Sequence, residues 1–133
     1  MPELPEVETT LRGIEPAIVQ QVISHFTVRQ ASLRWPVTVG ISELVEGQRI
    51  TLVYRRAKYL IIQLERGSML IHLGMSGSLR LVQPGAELRK HDHIEMQMSN
   101  GSVLRYHDPR RFGCWLWSET DHHQLSHLGP EPL

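Results

Sequence analysis

Residues 93–106 read HIEMQMSNGSVLRY, and they point to the fold class more directly than any other stretch. Apolar and polar residues alternate from Ile94 to Met98, which is the pattern of a half-buried strand, and a second apolar run follows Asn100-Gly101. Because Asn-Gly readily takes the two positive φ angles of a type I′ turn, we expect a tight antiparallel hairpin here.

Short runs of the same kind recur along the chain, separated by turn pairs such as Pro84-Gly85. They predict strands at residues 22–29, 49–54, 59–64, 69–73, 78–82, 93–98, 103–106 and 114–117. The predicted fold is therefore mostly β, a two-layer β-sandwich or flattened barrel of about eight antiparallel strands, with an N-terminal helix packed alongside.

The first 19 residues read as that helix. Pro5 suits a first helical position, where its missing N–H costs nothing. Gly13 weakens a helix and Pro16 interrupts one, so we expect residues 16–20 to form a separate turn. The apolar residues at helical spacing, which we expect to be buried, are Val7, Leu11, Ile14 and Ile18.

Length and composition restrict the class of protein. A chain of 133 residues, 41% of them hydrophobic, fits one globular domain and excludes a disordered one. No apolar run is long enough to cross a bilayer, and the acidic start MPELPEVE is unlike a secretory signal. We therefore expect a cytoplasmic protein with no membrane partner, whose single cysteine, Cys114, forms no internal disulfide.

Charge is unevenly distributed, although the formal net charge is zero. From Arg55 to Arg111 there are ten Lys or Arg and five Asp or Glu, a net of +5, which leaves −5 for the remainder. This division suits one phosphate-facing surface, to which protonation of the four histidines in the segment would add. The alternative is that these are solvated charges on both faces of a sheet.

Pro2 becomes the amino terminus if Met1 is removed. Its secondary amine, with an α-amino pKa of about 8, is partly unprotonated at neutral pH and can attack a carbonyl-like carbon to give an iminium ion. Glu3 and Glu6 lie close enough in the chain to act as acid and base. The alternative is an ordinary helix start, and a retained Met1 would make the Pro2 nitrogen an unreactive amide.

Lys58 precedes a very apolar run in the sequence RRAKYLII (55–62). Partial desolvation there would make its amine a proton donor or acceptor. Alternatively, Arg55, Arg56 and Lys58 are edge charges that prevent strand-to-strand aggregation.

Two segments that contain glycine, HLGMSG (72–77) and DPRRFG (108–113), place Met75 and Phe112 on predicted loop tips. An apolar wedge beside arginine is how some proteins hold a duplex open after a base has left the stack. The alternative is that both residues cap the core of the sandwich.

Two histidine-rich segments, HDH (91–93) and DHHQLSH (121–127), have a metal-like composition. No third ligand is indicated at metal-binding spacing, so surface histidines or phosphate contacts are favoured and no metal site is predicted. A histidine-based metal module remains a further hypothesis.

Seven motifs occur in order along almost the whole chain: PELPEVET (2–9), RGIEP (12–16), RRAKY (55–59), HLGMSGS (72–78), KHDH (90–93), DPRRFG (108–113) and LGPEP (128–132). Together they make the chain similar to bacterial formamidopyrimidine-DNA glycosylases, which remove oxidised purines such as 8-oxoguanine. The related endonuclease VIII enzymes, which act on oxidised pyrimidines, share the Met-Pro-Glu start and are kept as an alternative.

The resemblance implies a bifunctional DNA glycosylase and AP lyase that works through a Schiff base on Pro2. In that chemistry Pro2 attacks C1′ of the damaged nucleoside. Glu3 acts as acid and base with support from Glu6, and Lys58 donates a proton during base loss or β-elimination.

The same resemblance implies how DNA is held. His91 and Arg110 would contact phosphates, and Met75, Arg110 and Phe112 would fill the gap left by the flipped base. The expected partner is damaged double-stranded DNA, bound by a monomer without a small-molecule cofactor.

In the family, residues 1–133 correspond to an N-terminal catalytic domain, with residues 127–133 as the start of an interdomain linker. The helix-two-turn-helix and zinc-finger domain, with its structural zinc, is absent from this sequence. We therefore expect no cofactor here, weak DNA affinity and little or no glycosylase activity. The competing hypothesis is a DNA-binding or scaffold domain without covalent chemistry.

Overall fold

The computed structural model describes residues 4–119, which form two helices and two four-stranded antiparallel sheets. The elements are α1 (Leu4–Ile18), β1 (Ile23–Val28), α2 (Ile41–Val45), β2 (Ile50–Arg56), β3 (Tyr59–Leu64), β4 (Ser68–His72), β5 (Ser78–Val82), β6 (Asp92–Met98), β7 (Val103–His107) and β8 (Cys114–Ser118). Sheet 1 has the order β1-β6-β7-β5 and sheet 2 the order β2-β3-β4-β8. The predicted mostly β sandwich is confirmed, and the expected strands lie in their predicted segments.

One hydrophobic core combines residues of both sheets and of α1. At its centre the Trp115 ring lies 5.6 Å from that of Phe26 and 6.0 Å from that of Tyr106, edge-on to both. This is the arrangement that aromatic quadrupoles favour. The four apolar residues expected to line the buried face of α1 are buried as predicted, which confirms that the helix packs alongside the sheets.

Pro16 does not end α1, so the separate turn predicted at residues 16–20 is wrong. The helix continues to Ile18, and the Val19 N–H donates to the Glu15 carbonyl at 3.0 Å. A proline inside a helix costs about 3 kcal/mol. Complete burial of Ile18 offsets much of that cost, because burying an isoleucine side chain contributes about 1.5–3 kcal/mol.

The β6–β7 hairpin forms as predicted, but its turn is not type I′. Gly101 has a φ of 91°, whereas Asn100 has no positive φ. The Gly101 N–H donates to the Met98 carbonyl at 2.9 Å and the Met98 N–H to the Ser102 carbonyl at 2.8 Å, so the loop has three residues with glycine in the left-handed position. The Asn100 side chain instead accepts from the Ser102 N–H at 2.9 Å.

Helix α2 was not predicted from the sequence. It begins after Gly40, which has a φ of 75°, and it buries only Ile41 and Val45. Five residues give little more than one turn, which is too short for a helical period to be recognised. No helix within residues 4–119 has the length and apolar character needed to span a membrane.

Several strand connections meet at one end of the sandwich. In sheet 2, His72 pairs with both Tyr59 and Cys114, and in sheet 1 Asp92 pairs with His107. The connections that adjoin these residues therefore lie close together. We call this the loop end, and it comprises residues 57–58, 73–77, 89–91 and 108–113.

Two contacts fix the direction of α1. Near its start, the Glu8 carboxylate accepts from Arg55 Nε at 3.0 Å, close to the loop end. Near its finish, the Ala17 carbonyl accepts from Asn100 Nδ2 at 3.1 Å, at the opposite end of the sandwich. The first turn of α1 therefore lies at the loop end.

Replacing Ile18 by alanine should lower the free energy of unfolding by about 2–5 kcal/mol, because a fully buried side chain is lost from the helix–sheet contact. Urea denaturation measures this. Val39→Ala is the control, since Val39 is 94% exposed and should change stability by less than about 0.5 kcal/mol. Equal losses in the two variants would contradict the packing of α1.

Candidate nucleic-acid interface

The structure brings together most of the predicted site residues. Those at the loop end are Lys58, Met75, His91, Arg110 and Phe112. Glu6 is exposed on the first turn of α1, which lies at the same end. Pro2 and Glu3 lie outside the described residues, so their placement stays a prediction.

Met75 and Phe112 are exposed apolar residues on neighbouring loops. Met75 is 61% exposed and Phe112 is 39% exposed, so the alternative in which they cap the core is wrong. The Arg110 guanidinium lies 5.2 Å from the centroid of the Phe112 ring, in the position of a cation–π contact. An apolar pair beside a cation is therefore presented to solvent at this end.

The backbones of these two loops are in direct contact. Gly74 has a φ of 67°, and a Cβ added to it would lie 2.9 Å from both the Gly113 nitrogen and the Phe112 carbonyl carbon. A Cβ on Gly113 would lie 2.3 Å from the His72 carbonyl oxygen. Glycine is thus required at both positions, because a side chain on Gly74 would push the loops apart and one on Gly113 would collide with the end of β4.

Asp108 is a fully buried acid at the base of the two loops. Its Oδ1 accepts from Ser76 Oγ at 2.8 Å and from the Arg111 N–H at 3.0 Å. Its Oδ2 accepts from the Tyr106 hydroxyl at 2.6 Å and from the Gly113 N–H at 2.9 Å. Burial, together with this bond to Asp108, raises the pKa of Tyr106 above its ordinary value, so the phenol stays protonated and donates.

Asp92 is a second buried acid, at the start of β6. Burial alone would raise its pKa, but hydrogen bonds from Arg80 Nη2 at 2.9 Å, from the Arg89 N–H at 2.9 Å and from His107 Nδ1 at 2.9 Å outweigh it. The pKa of Asp92 is accordingly lowered to about 2. Asp92 therefore stays ionised and fixes the backbone just before His91.

Arg105 anchors the segment that precedes His91 in the chain. Its buried guanidinium donates to the carbonyls of Ala86 at 2.7 Å and Glu87 at 3.0 Å, and to Glu95 at 2.8 Å. Arg105 and Asp92 together attach residues 86–92 to the outer face of sheet 1.

His91 is half-buried and has a φ of 71°, which is unusual for a residue other than glycine. Desolvation, followed by the nearby charges of Lys90, His93 and His107, lowers the pKa of His91 below its ordinary value. The lowered pKa favours the neutral ring, so His91 contributes less positive charge to this surface than a fully protonated histidine would.

Lys58 occupies the two-residue turn between β2 and β3. Ala57 has a φ of 53°, and its carbonyl accepts from Arg55 Nη1 at 3.0 Å, so the turn is braced by its own strand. The hydrogen bond from Arg55 also lowers the pKa of Glu8. The half-buried Lys58 is thus held near the first turn of α1.

The exposed surface of the loop end carries more cations than acids. Asp92 and Asp108 are buried and hydrogen-bonded there, whereas Glu6 is exposed and Glu8 pairs with Arg55. The cationic side chains exposed around them are Arg34, Arg56, Arg89, Lys90, Arg110 and Arg111. This distribution favours a phosphate-facing surface over charges scattered evenly on both sheets.

The part of the chain that the structure describes holds no group of three or more His, Cys, Asp or Glu side chains arranged for a metal ion. The second histidine-rich segment, residues 121–127, lies outside that part. Burial raises the pKa of the Cys114 thiol to about 12, so it stays neutral at physiological pH.

Sequence reasoning missed Ser76 and Asp108, which join the two loops. Asp108 precedes a proline, and an aspartate before a turn commonly accepts hydrogen bonds from the backbone N–H groups that follow it. The Asp108-Pro109 pair was therefore a local signal for the bonds within the 108–113 loop. The link to Ser76, 32 residues earlier in the chain, has no local signature.

Comparisons with known proteins agree with this geometry. A family model described as "Formamidopyrimidine-DNA glycosylase N-terminal domain" matches residues 1–115. The chain is 57% identical over 135 aligned residues to the formamidopyrimidine-DNA glycosylases of Shigella dysenteriae serotype 1 and of Escherichia coli strain 55989. These alignments cover 100% of this chain and 50% of each relative, so the chain spans about half the length of the curated relatives it matches.

Solved structures give the same result. The wild-type Lactococcus lactis Fpg (MutM) bound to DNA that contains N7-benzyl-Fapy-dG superimposes with a TM-score of 0.85 and 35% sequence identity, covering 96% of this chain and 47% of that one. A complex of the Lactococcus lactis Fpg with DNA that contains an abasic site also has a TM-score of 0.85, with 34% identity and the same coverage.

Asp92 should make stability depend on pH in acid. Because its folded pKa of about 2 lies below its ordinary value of 3.8, its contribution is complete above about pH 4 and is lost as the pH falls toward 2. The stability advantage of wild type over Asp92→Asn, measured by urea denaturation, should shrink by on the order of 2 kcal/mol from about pH 5 to about pH 2. Parallel pH curves for the two proteins would refute this role.

Proposed function

The chain belongs to the formamidopyrimidine-DNA glycosylase family, and from that premise we propose that it carries the catalytic and gap-filling residues of a base-excision DNA glycosylase with AP lyase activity. Its substrate is duplex DNA that contains oxidised purines such as 8-oxoguanine and formamidopyrimidines. The observation that carries the proposal is the exposed pair Met75 and Phe112 beside Arg110, on a positive end that also holds the first turn of α1.

The apolar pair accounts for how the duplex is held open. When a damaged base leaves the stack, the neighbouring pairs lose their contact, and unstacking costs a few kcal/mol. Met75 and Phe112 supply apolar surface that replaces the missing base. Arg110, stacked on Phe112, brings a cation to the same place, where phosphates and base edges are available.

The covalent step belongs to Pro2 after removal of Met1. Its amine attacks C1′ of the damaged nucleoside, the bond from C1′ to the base breaks, and the base leaves with a proton. The sugar then opens to an iminium ion, which acidifies the 2′ C–H. Loss of that proton expels the 3′ phosphate and nicks the strand.

Three further side chains serve this chemistry. Glu3 acts as acid and base in base release and sugar opening, and Glu6 supports it from the exposed first turn of α1. Lys58 donates a proton during base loss or elimination. The direction of α1 supports this assignment, because it brings the beginning of the helix to the end that holds the turn of Lys58.

His91 and Arg110 bind DNA phosphates. In the free protein the pKa of His91 is lowered by desolvation and by neighbouring cations. A phosphate oxygen beside the ring favours the charged form and reverses that shift. Binding of DNA is therefore accompanied by proton uptake at this position.

Borohydride trapping tests the nucleophile. The chain without Met1, verified by intact mass, should give a covalent adduct with an abasic-site duplex in the presence of borohydride, because reduction fixes the Schiff base. The chain that retains Met1 should give no adduct, because its Pro2 nitrogen is an amide, while Pro84→Gly without Met1 should keep the adduct, since Pro84 is exposed in the connection after β5.

Two results would count against the proposal. An adduct that persists when Met1 is retained would place the nucleophile elsewhere. No adduct from the wild-type chain with a free Pro2 amine would count against lyase activity of this chain by itself and would mean that the half of its relatives that it does not cover is needed to present DNA.

The salt dependence of DNA binding tests the interface. Arg110→Ala should reduce the slope of log K against log salt concentration by about 1, because one phosphate contact releases about one counterion. Arg66→Ala is the matched control, since Arg66 is exposed in the β3–β4 turn at the opposite end of the sandwich. Equal changes in slope for the two variants would mean that binding is spread over the whole surface.

A further inference from the structure

The four hydrogen bonds to the Asp108 carboxylate differ in what they join. Two come from the Arg111 and Gly113 N–H groups and shape the 108–113 loop itself. The third comes from Tyr106 on β7 and attaches that loop to the core. Only the fourth, from Ser76, comes from the loop that carries Met75.

The backbone of Asp108 extends the same link to the phosphate-binding segment. Its carbonyl accepts from His93 Nε2 at 2.7 Å, and its N–H donates to the His91 carbonyl at 3.1 Å. One residue therefore contacts the loop of Met75, the loop of Phe112 and the turn of His91. These are the three groups that the proposed function places on DNA.

We propose that Asp108 is a positioning residue that joins the 73–77 and 108–113 loops through Ser76, so that Met75 and Phe112 enter DNA as one rigid wedge. This inference rests on the proposed function. Two independent loops would each lose conformational freedom on entering the stack, which weakens binding. Loops already joined through a buried carboxylate lose much less.

A carboxylate suits this role better than an amide of the same shape. Both oxygens of Asp108 accept from backbone N–H groups, at Arg111 and at Gly113. An asparagine would direct its NH₂ group at one of these donors, because it has only one acceptor oxygen. Arg111, with a φ of 58°, depends on such a bond to hold an unfavourable conformation.

Two variants separate coupling of the loops from simple stability. Ser76→Ala removes the bond between the loops and leaves Oδ1 with the Arg111 N–H. Tyr106→Phe removes one hydroxyl donor from the other oxygen and leaves Oδ2 with the Gly113 N–H. Each variant thus loses one hydroxyl from the same carboxylate, but only Ser76→Ala disconnects the Met75 loop.

The first measurement is the ratio of the affinity of the 133-residue chain for an abasic-site duplex to its affinity for an intact duplex of the same sequence. A wedge that fills a gap increases this ratio. Ser76→Ala should lower it by about threefold to tenfold, in line with coupling energies between side chains in contact. Tyr106→Phe should lower thermal stability but leave the affinity ratio unchanged. If both hydroxyls had only a structural role, the two variants would change the affinity ratio equally.

The second measurement needs no DNA. Amide hydrogen exchange of Arg111 and Gly113 should become faster in Ser76→Ala, because loosening one loop loosens the other. The Gly101 amide, bonded to Met98 at the opposite end, is the internal control and should not change.

The outcomes distinguish this inference from the proposed function. An unchanged affinity ratio in Ser76→Ala, or equal losses in both variants, overturns the rigid wedge. If the wild-type chain binds the abasic-site duplex and the intact duplex equally well, the proposed function fails, because the gap in the duplex is not recognised. Hydrogen exchange then tests the coupling of the two loops without DNA. Unchanged exchange of the Arg111 and Gly113 amides in Ser76→Ala would overturn that coupling.

Discussion

The buried carboxylate of Asp108 is the interaction on which the loop end depends. Removing an ionised group from water costs several kcal/mol unless its acceptor sites are filled. Here four donors fill them, and they come from β7, from the 73–77 loop and from the 108–113 loop. The two loops can lie this close because Gly74 has no side chain, and the 108–113 loop can lie against the end of β4 because Gly113 has none. Exposed Met75 and Phe112 are therefore held in place by polar contacts beneath them.

Burial of Asp92 and Asp108 also helps a chain of zero net charge to present an excess of exposed cations at the loop end. Asp92, on the outer face of sheet 1, and Asp108 are both buried and surrounded by donors. The cations near them extend into solvent, so the local field of the loop end is positive. Glu95 in turn compensates Arg105, whose buried guanidinium fixes the segment before His91. Buried charged groups thus stabilise the fold, and exposed cations attract phosphate.

Much of this could be predicted from the sequence, because alternation and turn residues are local signals. The strands, the buried face of α1 and the exposed tips at Met75 and Phe112 were predicted in this way. The failures arise from long-range contacts. Pro16 stays inside α1 because Ile18 is buried against the sheets, and Asn100 takes a different turn in which its side chain contacts Ala17, 83 residues away. The bond between Ser76 and Asp108 is invisible for the same reason.

In the proposed function, the same long-range contacts set the phosphate site and the wedge at a fixed distance from each other. The turn of His91 is bonded to the backbone of Asp108, and the carboxylate of Asp108 holds both wedge loops. The pKa of His91 is lowered in the free protein by desolvation and neighbouring charges, and the proposed phosphate contact would raise it. Its full contribution to binding therefore depends on a phosphate at the position that also aligns Met75 and Phe112 with the stack. Recognition of the backbone and insertion of the wedge are then linked steps, because one buried residue connects them.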